Sequence, residues 1–290
     1  MIDLAREIFA PDFLLRNSVY ISLCIGFACP LVGMYLILRR LIFLGVALPQ
    51  VSSCGIALAF SLQAWGILPH LHEQEHRLAF FGATLLTLPT VLLLSLGSRK
   101  EGAMIEGRLG TIYGLAGAWS ILLLVANPLG EHGLLDMLKG EIIAVSAADL
   151  WRTLITLGLV ILLLFVFKKE FLLVSFDREM ATALGKQVRL WDAFLFLLIG
   201  LTISMAVLSV GPLIAFGFLL IPPLIAHLFA RNIRQFAVLG SGIGAATALI
   251  GFGIAYRKDL PVGPTDVALL GVVYVLAHLG RAAWRKWRAF

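Results

Sequence analysis

Charge is what this chain has least of. Asp, Glu, Lys and Arg make up only 14% of its 290 residues, against 60% hydrophobic residues and a mean hydropathy of +0.96. A soluble globular domain carries roughly a quarter charged residues and roughly half apolar ones. At ordinary domain size so large an apolar excess cannot be hidden from water in one core. A soluble enzyme, a disordered chain and a disulfide scaffold are excluded on that ground. Cysteine is nearly missing as well: Cys24, Cys29 and Cys54 lie in apolar stretches with no CxxC pair. They read as small buried hydrophobes rather than a disulfide or zinc framework.

Two further absences narrow the class. No phosphate-binding loop of the GxxxxGKS or GxxxxGKT form occurs, because Gly185-Lys186-Gln187 lacks both the upstream glycine and the hydroxyl residue. Any ATP chemistry therefore belongs to another polypeptide, and the chain itself reads as a non-enzyme. Ionisable residues are also rare inside the apolar runs, where Asp192 and His227 are the clearest cases and both lie near run ends. Ion-driven pumps place such groups at membrane depth, so that mechanism is weakly supported.

What is present in abundance is long apolar sequence. A helix that crosses a bilayer needs about 20 predominantly apolar residues, and candidate spans fall at 17–38, 44–67, 79–97, 103–126, 150–168, 189–208, 213–230, 236–256 and 265–282. Gly211-Pro212 interrupts the stretch 189–230, which reads either as two spans or as one span with a re-entrant element. The chain is thus an all-α polytopic membrane protein with eight or nine transmembrane helices, one domain over 1–290. Residues 1–16 contain Ile2-Asp3-Leu4-Ala5-Arg6-Glu7-Ile8-Phe9, whose helical spacing puts charges on one side. The stretch carries acidic residues and no small-residue cleavage site, so it is predicted to be an interfacial helix rather than a signal peptide.

The net charge of +6 follows the topology instead of marking a nucleic-acid partner, because the basic residues sit between apolar runs. With nine spans, 16 of the 23 basic residues fall on one side and 7 on the other, where 11 of the 17 acidic residues lie. The basic side is cytoplasmic by the positive-inside rule, and the C-terminus lies there. His70, His72, His76 and His132 then face outward.

The inner loop 169–188 holds a short helix signal. Asp177 is a good N-cap and Glu179 suits the first turn. Met180, Ala181 and Leu184 give a short apolar face, and Gly185 stops the helix. Such an element could dock on a soluble partner or lie on lipid.

At this loop the sequence resembles the permeases of ATP-binding-cassette (ABC) metal importers, the zinc, manganese and iron permease family. Phe176-Asp177-Arg178-Glu179-Met180-Ala181 with Leu184-Gly185 is similar to the family's stretch of the form Phe or Val, Asp, any, Glu, any, Ala, then Leu-Gly. The resemblance extends along nearly the whole chain, through Gly33–Gly45, Leu138–Ser146, Val210–Ile214 with Leu220–Ala226, and Asp259–Thr265. It implies the ABC importer permease fold and a homodimer of this chain. It also implies a separate cytoplasmic ATPase that binds ATP and Mg, and an extracytoplasmic solute-binding protein that delivers a divalent metal at the inner or plasma membrane. Within that picture Asp177, Arg178, Glu179, Met180, Ala181, Leu184 and Gly185 form the coupling helix, which links closure of the ATPase to alternating access. No cofactor is expected in this chain, apart from the metal as cargo.

One departure matters. Family members usually carry Asp, then His four residues later, directly after the glycine that starts the second helix. Here the glycine is Gly45, and the two positions are Val46 and Gln50, with Pro49 between them and expected to kink or delay the helix. Val46 cannot ligate a metal and Gln50 is a weak oxygen ligand, so the metal is held elsewhere or the cargo is a chelate or small organic solute. For the latter, Gln50, Ser52 and Ser53 would line a neutral path, the competing reading being close helix packing. An alternative metal feature is the outer stretch Pro69–His76, where His70, His72 and His76 stand among Glu73 and Glu75. The same stretch also reads as an ordinary solvated turn.

Overall fold

The computed structural model describes residues 15–67, 75–96, 102–126 and 145–287, so the predicted interfacial helix lies almost wholly outside the described residues. They form ten helices: α1 (Arg16–Leu38), α2 (Leu44–Ala64), α3 (Glu75–Leu96), α4 (Gly102–Val125), α5 (Ala147–Val166), α6 (Lys168–Phe176), α7 (Arg178–Ala183), α8 (Val188–Phe229), α9 (Ile233–Lys258) and α10 (Val262–Trp287). Eight are long and apolar enough to cross a membrane; α6 and α7 are the exceptions. The helix bounds shift from the predicted spans by a few residues. Pro49 does not delay α2, which starts at Leu44 and runs through it.

The predicted spans 189–208 and 213–230 are the two arms of α8. Its 42 residues would make a straight rod of roughly 63 Å, about twice the hydrocarbon thickness. Instead the helix breaks at Gly211, at φ +80° and ψ 165°, a conformation open to glycine and closed to side chains with a Cβ. Pro212 directly after it has no N–H to continue the ladder. Both ends return to one side of the bundle. Asp192, near the first end, pairs with Arg39 at the end of α1. The second end leads through 230–232 into α9, whose Gly240 and Gly244 pack on Pro30 and Gly26 as α9 runs antiparallel to α1.

Small residues set the closest crossings. A Cβ on Gly26 would press on the Gly244 backbone, and one on Gly55 of α2 would press on Gly82 of α3. Without a water-driven force between apolar helices, backbone approach of this kind is what holds a membrane bundle together. The interior is built from α1, α2 and α8, whose long side chains such as Ile25, Leu36, Leu48, Ile56, Leu195 and Phe218 are fully buried. The outside is apolar too: Trp119, Phe165 and Leu276 on α4, α5 and α10 are more than half exposed. An apolar shell around an apolar interior is what a hydrocarbon solvent permits. Of the three free cysteines, Cys29 and Cys54 are buried, as read from their apolar surroundings, and Cys24 is half-buried.

Candidate coupling site and translocation path

The loop after α5 folds as the sequence predicts. Asp177 caps α7, its Oδ1 accepting the Met180 backbone N–H at 2.8 Å. At the other end Gly185 takes φ +71°. The Gly185 N–H donates to the Thr182 carbonyl and the Lys186 N–H to the Ala181 carbonyl, the paired bonds of a glycine-stopped helix end. The apolar face divides. Ala181 is fully buried, whereas Met180 and Leu184 stand outward beside Phe176. Glu179 is exposed as well. The six-residue helix is therefore fixed at both ends and shows its large apolar side chains to the outside.

Sequence reasoning missed what lies beneath it. Asp192 of α8 is 2% exposed, and two arginines converge on its carboxylate. Arg39 Nη1 donates to Oδ1 at 2.6 Å, while Arg178, the first residue of α7, pairs with Oδ2. Arg39 Nε donates to the Ser175 hydroxyl of α6 at 2.8 Å, and its guanidinium lies 5.8 Å from the Phe196 ring centre. Burial, followed by the neighbouring Arg178 charge, pushes Arg39 down to about 10, so it stays a cation near neutrality and needs the carboxylate. Tyr35, Phe167, Phe171, Trp191 and Phe194, from neighbouring segments of the chain, are joined by edge-on and tilted ring contacts. A carboxylate one turn into an apolar run was the available signal; its arginine partners are 153 and 14 residues away and do not announce themselves in sequence.

On α2, Val46 and Gln50 are one turn apart and both half-buried, so they share a face. That face meets α4, where a Cβ on Gly117 would stand 3.4 Å from Gln50 Nε2. Ser52 and Ser53 are buried, and neither hydroxyl has a hydrogen-bond partner. His70, His72 and His132 lie outside the described residues; His76 sits in the first turn of α3, and its side chain is not among those described. Among the described residues no three His, Cys, Asp or Glu side chains come together as a metal cluster. His227 and His278 are exposed rather than enclosed, each against a ring of its own surroundings, Phe236 and Tyr274. Asp266 of α10, counted to the outer side by sequence, is fully buried beside the Ser22 hydroxyl and over Gly251.

Residues 12–281 match the family described as the ABC 3 transport family. The chain belongs to that family. Among its relatives, the manganese transport system membrane protein MntC of Listeria innocua is 28% identical over 265 residues, which is 91% of this chain and 90% of that protein. A probable iron transport system membrane protein of Haemophilus influenzae is 26% identical over 96% of this chain and 94% of its own length. The solved structure of PsaBC from Streptococcus pneumoniae in complex with Fab superposes with a TM-score of 0.77 at 24% identity, covering 96% of this chain and 95% of that one. The family match thus runs through nearly the whole chain. It places the resemblance drawn from the loop motif on the whole architecture.

Proposed function

We propose that this ABC 3 chain is the membrane permease subunit of an importer that moves a divalent transition metal inward by alternating access, with ATP hydrolysed by a separate chain. The observation that carries the reading is α7 with its caps: a short helix of fixed shape, apolar outward, tied through Arg178 to the start of α8. Such an element suits docking on a soluble ATPase that holds ATP and Mg. Asp177, Glu179, Met180, Leu184 and Gly185 would form or shape the contact, with Ala181 anchoring it inward. The names of the relatives favour manganese or iron as cargo. The concentration of 16 of 23 basic residues on the α7 side supports a cytoplasmic place for that side and for the C-terminus. The bilayer, a second copy of the chain and an extracytoplasmic binding protein complete the assembly, with His70, His72 and His76 as first candidates for receiving metal outside.

A second reading replaces the bare metal with a chelate or small organic solute. It is favoured by Val46 and Gln50, which leave the α2 face uncharged. Uptake of Mn²⁺, Fe²⁺ and Zn²⁺ into proteoliposomes holding the chain with its ATPase and binding protein decides between them. ATP-dependent accumulation of a metal supports the first reading; ATP hydrolysis without accumulation of any metal supports the second. Glu179→Lys reverses a charge on the exposed first turn of α7 and should sharply lower ATP-driven uptake while the melting temperature stays put. Uptake at the wild-type rate would remove α7 from the coupling contact.

A further inference from the structure

We infer that Asp192 is the positioning residue through which α7 acts on the bundle, and that of its two ion pairs only the one with Arg178 is built to open. The inference rests on the coupling role proposed above.

The two arginines are held very differently. The Arg39 side chain is 0% exposed and meets Asp192, Ser175 and Phe196, joining α1, α6 and α8. Taking it away strands a buried carboxylate, which is costly. The Arg178 side chain is 39% exposed, and its Nε has no hydrogen-bond partner. A pair with one half-exposed partner and an unsatisfied donor holds less firmly than the fully enclosed Arg39 pair, so this one can break and re-form. When it opens, Asp192 keeps Arg39 and no buried charge is left alone. Two cations share one carboxylate, so the cluster already holds one guanidinium more than it can neutralise. An acidic group on a docking partner, or water, can take Arg178 over.

Position in the chain gives the asymmetry its consequence. Ser175 and Arg39 belong to the packed body around Phe171, which is fully buried. Arg178 is the first residue of α7 and comes directly after the Asp177 cap. The other ion pair of the loop, Lys186 with Glu170 at 3.8 Å, stays within the loop and does not hold it to α8. A push on α7 is therefore felt first at Arg178–Asp192. With the pair closed, α7 moves with the first arm of α8. With it open, α7 shifts while α1, α6 and α8 remain one body.

The test uses the full complex of chain, ATPase and binding protein in proteoliposomes with Mn²⁺ as the probe. Hydrolysis without binding protein and Mn²⁺ taken up per ATP are measured for wild type, Arg178→Gln and Arg178→Lys. For Arg178→Gln the expected result is resting hydrolysis raised by up to roughly fivefold, the range one half-exposed ion pair can shift in a two-state equilibrium. Less Mn²⁺ is then imported per ATP, the melting temperature is unchanged, and lysine restores both readouts. Resting hydrolysis and stoichiometry both at wild-type values in Arg178→Gln would overturn the inference. So would a collapse of its melting temperature, since that makes the pair a structural one. A wild-type complex that neither hydrolyses ATP nor imports Mn²⁺ would instead overturn the proposed function, which keeps the two failures apart.

Discussion

The two regions to which the proposed function assigns work are built on opposite principles. Beneath α7, charge is concentrated and paired: two arginines and a serine gather around the buried Asp192, with the Phe196 ring against Arg39. In the first half of α2 there is no charge at all, only Val46, Gln50 and two serines whose hydroxyls have no hydrogen-bond partner. The difference fits what the proposed function asks of each place. A joint between moving parts needs directional contacts that hold one geometry, which charge-assisted hydrogen bonds supply. A path must release what it admits, and strong fixed charges there would hold a cation or repel an anion.

The largest expected effect therefore lies at the joint. Arg39→Ala removes the fully buried partner of Asp192 and leaves the carboxylate with Arg178 alone. A loss of about 3 kcal/mol or more is expected, as for other buried pairs broken on one side. Thermal unfolding of the purified chain in detergent reads it, and a melting temperature equal to wild type would show that Arg178 suffices. Next in size is Gly55→Ala on α2, where the new methyl meets the Gly82 backbone of α3. Overpacking of this kind costs roughly 1–3 kcal/mol, and the same melt measures it. If Gly55→Ala were as stable as wild type, the α2–α3 crossing would be looser than its geometry implies.

How much of this was open to the sequence depends on the range over which each feature is encoded. The long helices were legible because twenty apolar residues in a row are a local signal, and the α7 caps were legible because Asp177 and Gly185 act on their own neighbours. The hairpin at Gly211 was half legible: the Gly-Pro pair marked an interruption, but only the packing of α9 on α1 shows that both arms return to one side. The Arg39–Asp192–Arg178 cluster was not legible, since its members belong to three helices. In sequence Arg39 served only as a marker of topology. Asp266 illustrates the same limit, because its place near a span end looks outer in sequence while the fold buries it against Gly251.

Smaller in stability but direct in function is the conversion of the neutral face of α2. Val46→Asp combined with Gln50→His puts a carboxylate and an imidazole one turn apart, a pair that Zn²⁺ or Mn²⁺ can accept. Both side chains are half-buried on the face toward α4, so the cost to the fold should stay near 1 kcal/mol. Isothermal titration of the double variant with Zn²⁺ is expected to show a site, or a tighter one, relative to wild type. No change in affinity in a folded double variant would mean that this face of α2 does not present ligands to a common ion.

The smallest change in stability is expected where the comparison is most delicate, at Ser52 and Ser53. A buried hydroxyl without a partner is a liability, worth roughly 1–3 kcal/mol of desolvation left uncompensated. Replacing it by alanine should therefore leave the melting temperature unchanged or raise it slightly. If the serines line the path, the same change removes two polar groups that a hydrated cargo would meet, and ATP-driven uptake should fall although the protein is as stable as before. If they serve only the close approach of helices, alanine is as small as serine and uptake should not move. Measuring melting and uptake on the one double variant separates those roles, because packing and passage predict the same stability and different transport.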